Sequence, residues 1–246
     1  MKDILKPLKA DSLVDVFISR FEDLILTGRI AVGQRLPSER ELAMQLGVSR
    51  PVVHEGLLDL AAKGLVTMKP RVGTVVNDYR KEGSLPILYS IINYQQGALD
   101  EGLLESLLAT RLLVETETTR LAALNRTEEH LGEFRGILRA EEETDPKDVK
   151  RITELDFSFH HTVGMASGNV IYPLLINSFK PVYMNFTGTF FSEPANVAET
   201  VRFHRRIVEA IAARDPDAAL NAMMETLNHG EEHLRTILNQ PKRREP

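Results

Sequence analysis

The 246-residue sequence predicts a mainly α protein in two parts, an N-terminal part of short helices closed by a small β-hairpin and a larger C-terminal all-α bundle. Three observations predict it. Apolar residues recur at helical spacing along most of the chain, whereas a β-branched run occurs at "GLVTMKPRVGTVV", Gly64 to Val76. The stretch "NDYRKEGSLP", 77–86, breaks that periodicity with charged, Gly, Ser and Pro residues. Charge is also uneven: residues 1–80 carry 12 Lys+Arg against 10 Asp+Glu, a balance of +2, and residues 81–246 carry 18 against 25, a balance of −7, within a net −5. The expected division is therefore 1–77, a linker at 78–86, a helical domain at 87–240 and a disordered tail at 241–246.

In "SLVDVFISRFEDLILTGRI" the residues Leu13, Val16, Phe17, Phe21, Leu24 and Ile25 form a helical stripe that Gly28 ends. "SERELAMQLG" follows. Ser38 is its N-cap, Glu41 completes a capping box, Leu42 and Leu46 face the core, and Gly47 supplies a left-handed turn. Val48 packs inward, Ser49 caps the next helix and Pro51 lies in its first turn, where a missing N–H is harmless. Val52, Val53, Leu57, Leu58 and Leu60 are its expected buried side.

Two helices joined by a tight Gly-containing turn at this spacing make a helix-turn-helix, whose second helix enters the DNA major groove N-terminus first. Arg50 in its first turn reaches a guanine edge or a phosphate. Ser49 and the free N–H groups there suit phosphate, and His54 lies one turn on. The hairpin that follows reads as a wing, with Lys69, Pro70 and Arg71 at its tip.

Beyond the linker every pattern is helical. "LPILYSIINY" comes first, then Leu99 to Leu124, "TEEHLGEFRGILRAEEE", Pro146 to Ala166, Val170 to Phe191, Val197 to Ala213 and Pro216 to Leu238. Asp145 and Asp215, each before a proline, and Thr127 before two glutamates are the expected N-caps. Six or seven helices in a bundle are expected. In "ELDFSFHHTVGMASGN", Asp156 and His160 stand four apart on one helix face, suited to one ion or one ligand. Arg111, in an otherwise apolar stretch, suits either an effector carboxylate or an internal ion pair with Glu115.

The absence of cysteine excludes disulfides and thiolate metal sites and fits a reducing cytoplasm. The start "MKDILKPLKADS" lacks the apolar core of a secretion signal. Apolar runs fall short of the roughly 18 residues a membrane span needs, so a cytoplasmic protein with no membrane partner is expected.

"GQRLPSERELAMQLGVSRPVVHEGLLDLAAKGLV" followed by "GTVV" resembles the winged helix-turn-helix of GntR-type bacterial transcription regulators. That resemblance implies DNA contacts from Arg40, Ser49, Arg50, His54 and the wing residues Lys69 and Arg71, with Arg35 as a lesser candidate. Because one helix-turn-helix reads only a few base pairs, a homodimer on a pseudo-palindromic operator is expected. Where the family commonly has arginine followed by Glu-Ala-Leu, this chain reads "HEGL", and its wing "KPRVG" lacks the usual glycine near the tip.

"ATRLLVETETTRLAAL" and "FHRRIVEAIAARDPDAALNAMMETL" resemble helices of the FCD ligand-binding domain found in the FadR branch of that family. There an aspartate and three histidines hold a divalent metal that helps to bind a small carboxylate. Asp156, His160 and His204 match, while Thr226 stands where the last histidine belongs, with His229 as an alternative three residues on. The resemblance thus implies Zn²⁺ or Ni²⁺ on Asp156, His160 and His204, and an organic-acid effector near Arg111 and Thr226. "LPILYSIINY" and "ASGNVIYPLLINSFKPVYMNF" resemble the acyl-CoA-responsive type, which has lost the metal set; acyl-CoA is therefore the rival effector. An open metal position would also suit a hydrolase or isomerase, but the sequence has no nucleophile motif or phosphate loop.

Overall fold

The computed structural model describes residues 12–94 and 101–239. The chain divides into two compact units, Met1–Ala98 and Leu99–Pro246. The segments 1–11 and 241–246, on which the readings of the chain start and of a disordered tail fell, lie outside the described residues.

In the first unit, α1 (Leu13–Leu26) starts at the Ser12 cap and ends at Thr27 and Gly28, the latter at φ 72°. It buries Phe17, Phe21 and Ile25. Leu13 and Val16, expected in the same stripe, are exposed. Helix α2 (Glu39–Leu46) has the expected capping box between Ser38 and Glu41, and Gly47 closes it at φ 67°. Helix α3 (Arg50–Ala62) buries Val53, Gly56, Leu57 and Leu60. Leu58, expected inside, is 51% exposed, whereas Gly56, nearly opposite it around the helix, is buried with the Phe17 ring against its backbone. Ser49 holds the cap position but its side chain makes no capping bond, which leaves the hydroxyl free.

Strands β1 (Val66–Lys69) and β2 (Gly73–Val76) pair antiparallel with Val66 opposite Val76 and Lys69 opposite Gly73. The chain before α2 joins their edge: Arg35 bridges to Val75, and Leu36 N–H donates to Thr74 O at 2.9 Å. Arg71 holds the wing tip at φ 64°, a left-handed conformation that glycine would adopt without strain.

The expected linker is ordered structure. Helix α4 (Tyr79–Glu82) packs so closely on Gly64, at φ 78°, that a Cβ there would lie 2.0 Å from Glu82 O. Helix α5 (Ile87–Tyr94) belongs to the first unit, not to the bundle. Ile87 is part of the first unit's core. Ser90 Oγ donates at 2.6 Å to Glu22 Oε1, which also receives Lys63 Nζ at 2.7 Å. The apolar face of "LPILYSIINY" is thus spent on α1, which moves the boundary from 77–87 to the stretch after α5.

The second unit contains, among the described residues, α6 (Glu101–Asn125), α7 (Glu128–Glu143), α8 (Val149–Ala166), α9 (Tyr172–Ser178), α10 (Lys180–Phe190), α11 (Ala195–Ala213) and α12 (Pro216–Asn239). Its core includes Ala122, Phe134, Phe159, Val163, Ile207, Ile211 and Met223, all nearly or fully inaccessible. Thr127 caps α7, and Asp215 Oδ1 accepts from Ala218 N–H at the start of α12, as expected. Asp145 does not cap α8. It closes a turn three residues earlier, and Asp148 is the cap. The single helix expected over 170–191 is two, because Pro181 lacks the N–H that would continue the ladder and instead starts α10. Arg214 ends α11 at φ 56°, where its guanidinium donates to Leu124 O at 2.7 Å and Arg126 O at 3.2 Å.

Candidate functional sites

All seven residues expected to meet DNA are exposed in the first unit: Arg35, Arg40, Ser49, Arg50, His54, Lys69 and Arg71. Arg35 lies along the wing, with Nε 3.0 Å from where a Cβ on Gly73 would stand. The start of α2 and the first turns of α3 meet at Glu39. Its Oε1 is 2.8 Å from His54 Nδ1 and its Oε2 is 3.8 Å from Arg50 Nη2. A carboxylate thus stands between the two groups expected to read the groove.

The second site is buried. Asp156 and His160 project from the same face of α8, and α11 brings His204 against them. One donor atom from each lies within 4.8 Å of the others. Asp156 Oδ1 is 3.5 Å from His204 Nε2 and 4.0 Å from His160 Nε2. Donors bound at 2.0–2.1 Å to one tetrahedral ion stand roughly 3.4 Å apart, so slight contraction would suffice.

The outward ring nitrogens have their own carboxylates. His204 Nδ1 is 2.9 Å from Glu141 Oε1, and His160 Nδ1 faces Glu115 Oε2. Phe159 stacks on the His204 ring at 3.7 Å and fixes its plane. The other Asp156 oxygen, Oδ2, accepts from Tyr183 OH. Arg111 donates through Nε to Glu115 at 2.6 Å and through Nη2 to Tyr183 OH at 3.3 Å. Both histidines therefore direct Nε2, and Asp156 directs Oδ1, at one point.

The electrostatics follow from burial. Desolvation would raise the Glu115 carboxyl, but the Arg111 guanidinium and His160 hold it down at about 2. Burial works against a charge on His204; the Glu141 carboxylate, with Asp156 and Glu115 behind it, prevails and raises its pKa. Burial and Asp156 push the Tyr183 phenol up, so it remains a donor. His204 Nε2 is buried and has no hydrogen-bond partner. An orphaned nitrogen beside a carboxylate oxygen, in an all-nitrogen-and-oxygen donor set, fits a divalent cation.

Two expected residues do not join this point. Thr226 is buried near the triad, but its hydroxyl donates back to Ala222 O at 2.7 Å. His229, three residues on, is rotated away along α12; its ring lies 4.1 Å from that of His233 and its Nε2 is 3.5 Å from Glu199. Burial, reinforced by His233, lowers its pKa. Glu141 and Tyr183 were not singled out from the sequence. For Glu141 a signal existed: Leu131, Phe134 and Leu138 form the buried stripe of α7, and Glu141 is its next position.

Two cavities meet at Arg111. The polar one, about 50 Å³, is lined by Asp156, His160, Thr226 and His229 among others. An apolar one of about 100 Å³ lies on the other side, between α6, α9 and α10. Leu108, Arg111 and Phe186 line both.

An exposed winged helix in one unit and a buried, ligand-sized polar site in a helical bundle define a DNA reader joined to an effector-binding domain. Residues 17–76 match the bacterial regulatory protein gntR family and residues 106–229 match the FCD domain. The chain belongs to the GntR family of transcription regulators, in the group that carries an FCD domain. It is 33% identical over 236 residues to the HTH-type transcriptional regulator Mce2R of Mycobacterium tuberculosis, covering 95% of this chain and 96% of that one. With the fatty acid metabolism regulator protein of Yersinia enterocolitica it shares 29% identity over 199 residues, 81% of each chain. The solved structure of Lar, which controls expression of the Listeria monocytogenes agr system, superposes with TM-score 0.64 at 17% identity over 93% of this chain and 99% of that one, a likeness of fold alone. The family and these relatives are regulators rather than enzymes. No described helix is long and apolar enough to cross a membrane.

Proposed function

We propose that the protein binds an operator as a homodimer through Arg40, Ser49, Arg50, His54, Lys69 and Arg71, with Arg35 supporting the wing. In this reading a divalent metal, Zn²⁺ or Ni²⁺, sits on Asp156, His160 and His204, and a small carboxylate effector bound beside it controls operator affinity. The observation that carries this reading is the convergence of three buried donors, each histidine backed by a carboxylate on its other nitrogen. Such outer carboxylates orient the ring and raise its basicity toward a metal. The charge inventory agrees: the buried network holds three carboxyl groups, Asp156, Glu115 and Glu141, of which Glu115 pairs with the guanidinium of Arg111 and Glu141 with His204. A cation is needed before an anionic effector can enter. The bound ion would supply positive charge and an open position for a carboxylate oxygen.

Acyl-CoA is the competing effector. Its phosphates call for several cations, whereas Arg111 is the single Lys or Arg among the described residues lining either cavity.

Thermal denaturation tests the reading. Zn²⁺ or Ni²⁺ added to metal-stripped protein is expected to raise Tm, since binding to the native state alone stabilises it by mass action. His160→Ala should abolish the shift. If metal leaves the melting of the native protein unchanged while acyl-CoA raises it, the metal reading is wrong.

A further inference from the structure

The apolar cavity next to the triad has no role in metal binding. Its walls include Leu104, Leu107, Val114, Leu175 and Phe179, from α6, α9 and α10. At about 100 Å³ it has several times the roughly 10–15 Å³ that holds one water, and few of its lining groups could hold water there. Filling such a space with hydrocarbon is favourable, because apolar surface leaves water and dispersion contacts are gained.

Charge decides which end of a ligand it takes. Arg111 and Glu115 are the charged side chains on its described lining, and they are paired with each other at 2.6 Å. No net charge is left in this cavity to hold an anion. The positive charge of the proposed metal would lie on the other side of Leu108, Arg111 and Phe186, which line both spaces. Head and tail sites are therefore adjacent, and of the two only the head site is lined by metal-ligating side chains of the triad.

We infer that the effector is an aliphatic monocarboxylic acid, its carboxylate in the cavity that Asp156 and His160 of the triad line and its hydrocarbon tail in the apolar cavity beyond Arg111. This rests on the reading that a carboxylate binds beside a metal at the triad. Phe186 and Leu108 form the partition that the tail must pass between, and Arg111 stays paired with Glu115 as the polar edge of the passage. Short hydroxy acids would leave the second cavity unfilled. For a diphosphate-bearing conjugate, Arg111 is the single Lys or Arg among the described residues lining either cavity, and it is paired with Glu115.

Calorimetric titration of the full-length, zinc-loaded protein with acetate, butyrate, hexanoate, octanoate and decanoate tests the inference. Kd is expected to fall about fourfold for each methylene buried, then level off once the cavity is full. Leu107→Phe, which fills the cavity, should cut that gain, and His160→Ala should weaken the whole series. A flat series in which acetate binds as well as octanoate overturns the tail site and leaves the metal–carboxylate reading standing. Failure of every acid to bind the zinc-loaded protein overturns both. Long acids that bind equally well to the His160→Ala protein overturn the joined head-and-tail site. Because the chain-length series needs only the native protein, the result does not depend on how well Leu107→Phe folds.

Discussion

Glu115 shows how much one residue carries in the buried network. It accepts from Arg111, faces His160 Nδ1 and is almost inaccessible. Glu115→Gln keeps the shape but removes the charge that orients His160, and losing such an outer partner costs about 10–100-fold in metal affinity. Competition between zinc-loaded protein and a chromophoric chelator would measure this; unchanged affinity would make Glu115 only the partner of Arg111. The same residue has a signature in metal-free protein. Its folded pKa, about 2, is depressed below the ordinary 4.5, so its stabilising contribution is complete above 4.5 and is lost as pH falls toward about 2. Denaturant midpoints measured across that window should fall less steeply with acid in Glu115→Gln than in the native protein.

Between helices, the contact of α1 with α3 depends on a missing side chain. A Cβ on Gly56 would lie 2.2 Å from Cδ1 and 2.7 Å from Cε1 of Phe17. That ring cannot retreat, being buried and stacked on Phe21 at 4.4 Å. Gly56→Ala would gain about 1 kcal/mol of helix propensity. Overpacking against a fixed ring costs about 1–3 kcal/mol, so the expected net effect is destabilisation. Urea unfolding would report it, and Phe17→Leu in the same background should recover part of the loss. A neutral or stabilised Gly56→Ala protein would mean that α1 moves freely over α3. The glycine that departs from the family's usual alanine is thus a packing choice, and it sets the seat of the helix that carries Arg50 and His54.

For the whole molecule, one winged helix reads too few base pairs to select an operator, so the proposed homodimer doubles the contacts. Selection from random DNA should yield two inverted half-sites, and sedimentation should give two chains per duplex. A single asymmetric site bound by one chain would defeat the proposal. Effector control must obey linkage: operator and effector change one another's affinity by the same factor. The corrected domain boundary bears on this coupling. With α4 and α5 packed into the first unit, the interruption at 77–86 lies within that unit.

Local rules were enough for much of this architecture. Capping boxes, Gly47, Pro51 and the β-branched hairpin are short-range devices, and the sequence determined by itself the helix-turn-helix, its wing and the bundle of helices. The i,i+4 pair Asp156 and His160 was legible for the same reason, since one helix sets their spacing. What only the tertiary structure decided is which faces meet. Leu58 is exposed and Gly56 buried because burial depends on where α1 lies, and "LPILYSIINY" reads as the first helix of the C-terminal domain until α5 is seen to pack on α1. Glu141 looks like part of an exposed acidic run, yet the α7 stripe carries it inward to His204. The convergence of donors from α8 and α11, with outer partners from α6, α7 and α10, is a long-range property: helical periodicity specifies which face a side chain occupies, and only packing specifies what that face confronts.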